Sequence, residues 1–390
     1  MSLKRILAFI AIAMAAVSGV DGSEEASAFL NAYSKAVSSN ISITQRVSCH
    51  IYVGKEALPV RITGLCTWSG GASPFLYLTA QREEDDLEGQ TNSTFAVACR
   101  GDELRLVDGA SGVYYEEKLS HTGANLLASR LDIAFVILMY PAILDSYANG
   151  QCVVSDVVEG GAAARMLVAD DGVCHLELVV DAATSLPLRI DRTLLNPGGQ
   201  GIRYVCELSA PKVSTFLPPE EMFRIDSIFG YARKRYDPVG LFSIPEVPSF
   251  SVKMLDGSTF SLADQKGRWV LLSFHSESDR MRPAAAMYVE RAGDIARAAG
   301  AAFIDVYPSM SGEDSGKMDA YHPSETCVSE VLMRMYGVNR SGLPCIILIT
   351  PQGRVTDMLI GYVPGLTERA IEQMLKSLPQ KAEESPAAAR

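Results

Sequence analysis

The sequence has little of what several common functional classes require. Its 390 residues include five histidines and eight cysteines, yet they form neither the close cysteine pair nor the close histidine pair of a structural zinc site. Lysine and arginine total 35 against 46 acidic residues, so the formal charge is −11, and no basic cluster offsets it. Both features argue against nucleic-acid binding, and we predict none. We predict no metal site and no cofactor.

The N-terminus carries an apolar run that is too short for a membrane span and has instead the pattern of a secretory signal peptide. The basic residues Lys4 and Arg5 precede the apolar core Ile6–Val17, and Val20-Asp-Gly22 is a small-residue cleavage site. We therefore predict a signal peptide over residues 1–22, in preference to an uncleaved membrane anchor. The mature chain is expected to have no transmembrane span and to be exported to the periplasm or the extracellular space.

The length suits two domains rather than one, and the 48% of apolar residues is enough for packed cores. In the first domain, over residues 23–226, an amphipathic helix with one apolar stripe is predicted at Glu24–Ser38, and strand-like segments separated by turns follow it. The stretch Ala124–Tyr147 is apolar on several faces and is predicted to be helical and buried. An antiparallel hairpin is predicted from Leu176–Asp181 and Leu186–Asp191. These elements predict an α+β domain.

The order of these elements, together with the phrase from Asp181 to Arg189, resembles the half-barrel domain of periplasmic lipoprotein carriers. The resemblance covers roughly Ser23–Asp226 and implies an antiparallel half-barrel with helices. It also implies a hydrophobic groove under a helical lid, which would bind a hydrophobic or lipid-like ligand. The alternative is an ordinary α+β core without such a ligand, and we favour that alternative as a statement about function.

The last domain is organised around Trp269–Pro283, which has the pattern of a buried strand, a tight turn and a helix start. A hairpin with its turn at Asp256-Gly257 precedes it, and Gly342-Leu-Pro-Cys345 opens a further strand. A closing helix is predicted over Thr367–Leu378. In this order the features resemble the exported thioredoxin-like and redoxin family, from about Pro245 to Leu378. The resemblance implies an α/β thioredoxin-like fold.

In that family, the turn after the first core strand carries the sequence Trp-Cys-x-x-Cys. Aligned on Phe274, the two cysteine positions fall on Asp279 and Arg282, which cannot exchange a disulfide because exchange requires a thiolate. The resemblance thus implies a degenerate active site, with Pro344 at the family's cis-proline. We predict that Asp279 caps the helix and pairs with Arg282. The alternative is a binding site for a cation or a basic peptide.

Cys345 directly follows Pro344 and is the remaining candidate for thiol chemistry. It is either a reactive thiol or a small buried residue that begins the strand Ile346–Ile349, and we favour burial. Cys327, on a helix predicted over Glu325–Met335, is a candidate disulfide partner for it. No other catalytic residue is predicted.

His275 ends the core strand at the position where the family usually has tryptophan. Glu277 and Asp279 alternate with it along the turn, so an acid–base or metal cluster is one interpretation. Three such residues are a weak pattern, and we favour the interpretation without a ligand role.

Six cysteines precede the expected domain boundary and two follow it. An exported chain can form disulfides, and six cysteines allow 15 connectivities. Cys49 and Cys66 flank a hairpin predicted near Ala57 and could face each other. At least one disulfide is predicted among these six cysteines.

Together these features predict an α+β domain over residues 23–226, a linker over 227–248, a thioredoxin-like domain over 249–378 and a disordered tail over 379–390. The predicted function is non-catalytic, a binding or scaffold role at the cell envelope towards a protein or a hydrophobic ligand. One alternative is a thiol–disulfide redox protein that uses the two C-terminal cysteines. The other is a carrier of a hydrophobic ligand in the first domain.

Overall fold

The structure, a computed structural model, describes most of the chain between Gly22 and Lys376. The described residues are 22–40, 42–53, 56–86, 89–131, 134–141, 144, 151–170, 174–194, 202–219, 230–275, 292–308, 323–338, 344–361, 363 and 366–376. The predicted signal peptide up to residue 21 and the predicted tail lie outside them. So do Glu277, Asp279 and Arg282 of the turn after the first core strand.

The chain divides into two compact units. The first contains the chain up to Glu116 together with Leu127–Lys234, and the second contains Glu117–Leu126 together with the chain from Arg235 onward. The ten-residue segment Glu117–Leu126 therefore belongs to the second unit, although the first unit flanks it on both sides in sequence.

Polar contacts hold the segment Glu117–Leu126 in the second unit. The His121 ring nitrogen Nε2 lies 3.4 Å from Asp357 Oδ2. The Tyr236 hydroxyl donates a hydrogen bond to Asn125 Oδ1 at 2.9 Å. The two partner residues, Asp357 and Tyr236, lie beyond residue 235, so contacts that are distant in sequence hold the segment in place.

Strands dominate the chain from Gly22 to Lys234. The elements are α1 (Gly22–Ser39), β1 (Ser42–Val53), β2 (Glu56–Ser69), β3 (Phe75–Asp86), β4 (Gly89–Arg100), β5 (Glu103–Asp108), β6 (Val113–Lys118), a π-helical turn (Leu119–Gly123), α2 (Ala124–Arg130), α3 (Ala134–Met139), β7 (Gln151–Glu159), β8 (Ala162–Asp170), β9 (Cys174–Asp181), β10 (Pro187–Leu194), β11 (Ile202–Leu208), β12 (Lys212–Ser214) and β13 (Ala232–Lys234).

These thirteen strands form one sheet in the order β13-β6-β5-β4-β3-β2-β1-β11-β10-β9-β8-β7, with β12 paired to β1. Two runs of consecutive strands, β1–β6 and β7–β11, meet where β1 pairs antiparallel with β11, and we call this pairing the seam. In the first part of β2, the buried residues Ile62 and Cys66 each follow an exposed residue, Arg61 and Leu65, whereas the last four residues, Cys66–Ser69, are all buried. This alternation is the pattern of a sheet with one face on a core.

A buried glutamine makes hydrogen bonds to residues on both sides of the seam. The Gln45 side-chain amide donates to the carbonyl oxygens of Pro187 and Ser209, each at 2.8 Å. Its own oxygen accepts from the Trp68 indole N–H at 3.0 Å. Because all these polar atoms find partners, the cost of burying the amide is offset.

Helix α1 confirms the apolar stripe predicted for it. The stripe consists of residues that recur every three or four positions, and all are buried: Ala26, Phe29, Leu30, Tyr33 and Val37. The helix contacts β7, the edge strand of the sheet. An amphipathic helix of this kind gains most of its stability from such packing.

The hairpin predicted around residues 182–185 is confirmed as the antiparallel pair β9–β10. At its turn, Asp181 Oδ1 accepts hydrogen bonds from the backbone N–H groups of Ala183 at 3.1 Å and Thr184 at 2.8 Å. Ser185 adopts a φ of 56°, in the left-handed region. The aspartate thus stabilises the turn in the way that favours Asp at such positions.

The apolar stretch predicted over Ala124–Tyr147 contains the two short helices α2 and α3 within the described residues. Leu126, Leu127, Phe135 and Val136 are buried, as predicted. Across the described ranges, no helix combines the length and the apolarity that crossing a bilayer needs.

The segment predicted as a linker, residues 227–248, has regular structure and core contacts where it is described. Its residues 232–234 form β13, which pairs parallel with β6. Leu241 and Val247, further along, are buried in the core of the second unit. The segment therefore adds an exposed edge strand to the sheet of the first unit and buried residues to the core of the second.

The second unit has two small sheets. Its elements are β14 (Ser251–Lys253), β15 (Thr259–Ser261), a 3-10 turn (Leu262–Gln265), β16 (Val270–Phe274), helical residues 292–298, β17 (Ala302–Tyr307), β18 (Thr326–Val328), α4 (Glu330–Met335), β19 (Cys345–Ile349), β20 (Val355–Ile360) and α5 (Thr367–Lys376).

The main sheet of the second unit has the order β18-β17-β16-β19-β20. Strands β16, β17 and β18 are parallel, whereas β19 is antiparallel to β16 and β20 is antiparallel to β19. All five residues of β16 are buried, which confirms the predicted central strand covered on both faces. The predicted hairpin is β14–β15, with Gly257 at a φ of 83° in its turn.

Candidate functional site

The carboxyl ends of β16 and β17 meet at one edge of the sheet because these two strands are parallel. His275 follows β16 directly, and its backbone N–H donates to the carbonyl of Val306 at 3.0 Å. Strand β19 runs in the opposite direction and begins at this edge, where Cys345 lies opposite Phe274. The fold thus brings His275, Pro344 and Cys345, three of the predicted site residues, to one edge of the sheet.

The two cysteines of the second unit lie in one row across this sheet. From strand to strand, the row is Cys327, Val306, Phe274, Cys345 and Ile360. Three strand spacings separate the cysteines, which is about 14 Å at ~4.8 Å per spacing. A disulfide needs Cα atoms roughly 4.4–6.8 Å apart. The candidate pairing of Cys327 with Cys345 is therefore incompatible with this sheet.

Cys327 lies in the short strand Thr326–Val328, so the prediction that it lies on a helix over Glu325–Met335 is wrong in this part. The helix begins only after Ser329, whose hydroxyl caps it by accepting from the Leu332 backbone N–H at 3.1 Å. The residues before the cap pair with β17 instead. Pairing with a distant strand has overridden the local helical pattern.

Both thiols of the second unit are closed off from solvent. Cys345 is 1% exposed and Cys327 is 0% exposed. Burial raises the pKa of the Cys345 thiol. Burial also raises the pKa of the Cys327 thiol to about 12, with the nearby Asp305 carboxylate as a second cause. Because the thiolate is the reactive form, both environments disfavour thiol chemistry.

Three polar side chains form a buried cluster at the same edge: Ser273, His275 and Asp305, each at most 3% exposed. The His275 ring nitrogen Nε2 makes a hydrogen bond with the Ser273 hydroxyl. The same nitrogen lies 3.4 Å from Asp305 Oδ1. The imidazole also lies tilted against the Tyr307 ring, with centroids 5.9 Å apart.

Strand register explains why this cluster forms. Ser273 and Asp305 are direct partners on β16 and β17, and His275 follows Ser273 by two residues, so all three project to one face. Because all three side chains are buried, the cluster is placed to hold the two strand ends together. Neither Ser273 nor Asp305 was among the predicted site residues. A single polar residue inside an otherwise apolar core strand was the available signal for each.

A metal role for His275 has no support within the described ranges. There, no group of three or more His, Cys, Asp and Glu side chains is placed to hold a metal ion. Glu277 and Asp279, which the sequence placed beside His275, lie outside those ranges.

Cys49 and Cys66, which the predicted hairpin suggested could face each other, do not do so. Cys49 lies opposite Ile62 on β2, and Cys66 lies opposite Gln45 on β1. The hairpin turns between Val53 and Glu56 rather than near Ala57, and this shift changes every partner along the pair. On its other side, Cys49 lies opposite Cys206 of β11.

The second unit is a thioredoxin-fold region. Its parallel strands β16 and β17 lie beside the antiparallel hairpin β19–β20, and the predicted closing helix is present as α5. This topology agrees with the resemblance drawn from the sequence.

Comparison with solved structures gives similar proteins at low identity. The pneumococcal exposed lipoprotein thioredoxin from Streptococcus pneumoniae is 24% identical, covers 34% of this chain and 100% of its own, and has a TM-score of 0.28. A thiol:disulfide interchange protein from Bacteroides sp. is 20% identical, with 36% and 93% covered and a TM-score of 0.28. A secreted disulfide oxidoreductase from Mycobacterium tuberculosis is 16% identical, with 33% and 96% covered and a TM-score of 0.28.

No family model matches the chain, and the search of curated proteins gives no match. None of these comparisons bears on the half-barrel resemblance of residues 23–226, which stays a prediction. The observed first unit is mostly sheet with few helices in the described residues.

Proposed function

We propose that this chain is an exported protein whose thioredoxin-fold region binds a partner at the cell envelope without performing dithiol exchange. The observation that carries the proposal is the placement of Cys327 and Cys345 in one sheet row, three strand spacings apart and buried. A dithiol reductase needs two thiols that can join each other and meet a substrate disulfide. These two meet neither condition.

The sequence supports the same conclusion at the redox turn. The positions that carry cysteines in the resembling family are Asp279 and Arg282 here. A carboxylate and a guanidinium can bind charged groups, but neither can attack a disulfide sulfur. A binding role therefore uses the fold without the chemistry that the fold supports elsewhere.

A redox role for Cys345 alone is less well supported. At 1% exposure its sulfur cannot be reached in the folded protein, and its raised pKa keeps it protonated at neutral pH. The described structure gives this thiol the surroundings of a small apolar residue at a strand start, with Phe274 and Ile360 as its neighbours in the row.

A carrier role for the first unit would use the space lined by Ile62, Arg130 and Leu131 among others, which leaves no volume that a water molecule could fill. Ligand pockets usually measure about 300–1,000 Å³. A lipid-like ligand would therefore need this lining to open, and binding of a fluorescent fatty acid with micromolar affinity is the result that would favour this role.

Insulin reduction with dithiothreitol recycling tests the main proposal. The purified mature chain is compared with a Cys327→Ala, Cys345→Ala double variant, and we expect the two rates to be equal. A rate for the natural sequence well above that of the double variant would refute the non-catalytic assignment. N-terminal sequencing of the exported chain tests the location independently, with a start at Ser23 expected.

A further inference from the structure

The seam of the large sheet contains a pair of cysteines that no function above uses. Cys49 on β1 and Cys206 on β11 are direct register partners in an antiparallel pair. Direct partners project to the same face, and their Cα atoms are separated by about 4.5–5.5 Å in such ladders. Both values lie within the range that a disulfide requires.

The sulfur atoms are already in contact. The Cys206 Sγ lies 3.0 Å from the Cys49 Sγ, and the two residues are 2% and 4% exposed. An S–S bond is about 2.05 Å long, so bond formation needs a movement of about 1 Å without a change of strand register.

Register separates the other described cysteines of this unit from one another. Cys66 lies opposite Leu78, whereas Cys99 lies opposite Leu76, so one whole strand and a two-residue offset lie between them. Cys152 lies opposite Ala169, and β8 separates it from β9, the strand on which Cys174 lies. Among the six cysteines, Cys49 and Cys206 are therefore the pair that adjacent strands bring face to face in the described residues.

We propose that Cys49 and Cys206 form a structural disulfide across the seam, made by thiol–disulfide exchange with an oxidised small-molecule or protein disulfide. One thiolate attacks a sulfur of the oxidant and releases its first thiol, and the second cysteine then displaces the other. Both protein thiols are oxidised to one disulfide, and the oxidant is reduced to two thiols. The bond joins two residues 157 positions apart and links the strands β1–β6 covalently to β7–β11.

This inference is independent of the proposed binding function. It concerns the first unit alone and stands even if the second unit proves to be catalytic. It also assigns the predicted disulfide of this unit to one pair, which reduces the 15 connectivities of six cysteines to the 3 that the remaining four cysteines allow.

Peptide mapping of the natural sequence tests the pairing without any variant. The full-length mature chain is incubated with oxidised and reduced glutathione, denatured, alkylated without reduction and digested with trypsin. Cys49 then lies alone in residues 47–55 and Cys206 alone in residues 204–212. We expect these two peptides to be joined, with a mass that is two hydrogen atoms below the sum of their separate masses.

Two variants provide matched controls. Cys206→Ala should release Cys49, so that residues 47–55 become fully alkylated under the same conditions. Cys66→Ala removes an equally buried cysteine of the same sheet and should leave the joined peptide unchanged. Full alkylation of both peptides in the oxidised natural chain, or a joined peptide that contains Cys66 or Cys99 instead, would overturn the proposal.

Discussion

Each unit carries two buried cysteines in one row across a sheet, and the two rows differ in strand order. In the first unit, Cys49 and Cys206 lie on adjacent strands with their sulfur atoms 3.0 Å apart. In the second unit, β16 and β17 lie between Cys345 and Cys327. Burial is similar in both pairs. What a pair of strand cysteines can do is therefore decided by the number of strands between them.

The units also bury polar side chains in different ways. The first buries the neutral amide of Gln45, which makes three hydrogen bonds to groups on both sides of the seam. The second buries an imidazole and a carboxylate, His275 and Asp305, beside the Ser273 hydroxyl. A neutral, fully bonded amide tolerates loss of one partner better than a buried charge does. The second unit should therefore be the more sensitive to a single polar substitution.

The largest expected effect is on this buried cluster. Asp305→Ala removes the carboxylate beside His275 and leaves the imidazole buried, which should lower the free energy of unfolding by about 3–5 kcal/mol. Urea denaturation followed by fluorescence measures the change. Asp294→Ala is the control, because Asp294 pairs with Arg297 at a side chain that is 75% exposed and should cost less than about 1 kcal/mol. Equal losses in the two variants would contradict a structural role for the cluster.

The next largest expected effect is the change in stability on oxidation, which distinguishes the two cysteine pairs. Oxidation should stabilise the natural chain by about 2–4 kcal/mol relative to its reduced form, as expected for a disulfide that closes a long loop. Cys206→Ala should abolish this difference, whereas Cys345→Ala should keep it. The measurement is denaturant unfolding with and without a reductant. A redox-dependent stability that survives Cys206→Ala would show that the seam pair is not its source.

A smaller loss is expected at the amide that spans the seam. Gln45→Ala leaves the Trp68 indole N–H and two carbonyl groups without their partner and should cost about 1–3 kcal/mol. Thermal unfolding of the reduced protein measures it, so that the disulfide does not contribute. Arg46→Ala, at the next and exposed position of β1, is the control and should change stability by less than about 0.5 kcal/mol.

The smallest expected effect is on the pH dependence of stability, through the half-buried pair His175 and Glu177 of the first unit. A hydrogen bond from His175, followed by the charge of Arg189, lowers the pKa of Glu177 from 4.5 to about 2. The stability that Glu177 contributes is therefore present above pH 4.5 and is lost as the pH falls towards 2. Hydrogen bonding to Glu177 raises the pKa of His175, so its contribution is complete below pH 6.5 and is lost as the pH rises through the raised value.

Unfolding midpoints measured from pH 2 to pH 9 test this dependence. We expect Glu177→Gln to flatten both the acid limb and the neutral limb of the curve, by less than about 1 kcal/mol each. Glu207→Gln, at an exposed position on β11, is the matched control and should leave the curve unchanged. A curve for Glu177→Gln that overlays the natural one would contradict the pairing with His175.

Local patterns were sufficient for the elements that side-chain periodicity or turn chemistry specifies within the segment itself. The stripe of α1, the hairpin β9–β10 with Asp181 at its turn, and the buried strand Val270–Phe274 were all predicted correctly. In each case the periodicity or the turn chemistry acts over fewer than about twenty residues.

The predictions that failed depended on partners far along the chain. Cys327 was assigned to a helix but pairs with β17, twenty-one residues away, and the facing partner of Cys49 is Cys206 rather than Cys66. The segment Glu117–Leu126 belongs to the second unit, although its sequence gave no sign of leaving the first. A hairpin turn displaced by two or three residues is enough to change a partner, because register propagates along the whole strand.

The sequence by itself determined the helix α1, the hairpin β9–β10 and the buried strand β16, and it determined that the turn after β16 lacks both cysteines of a redox site. Those properties follow from side-chain pattern and chemistry at a single place in the chain. Only the tertiary structure decided that Cys327 and Cys345 are held apart, that Cys49 and Cys206 are in contact, and that Ser273, His275 and Asp305 meet. Strand order and register are set by the packing of the whole sheet, and no local pattern carries them.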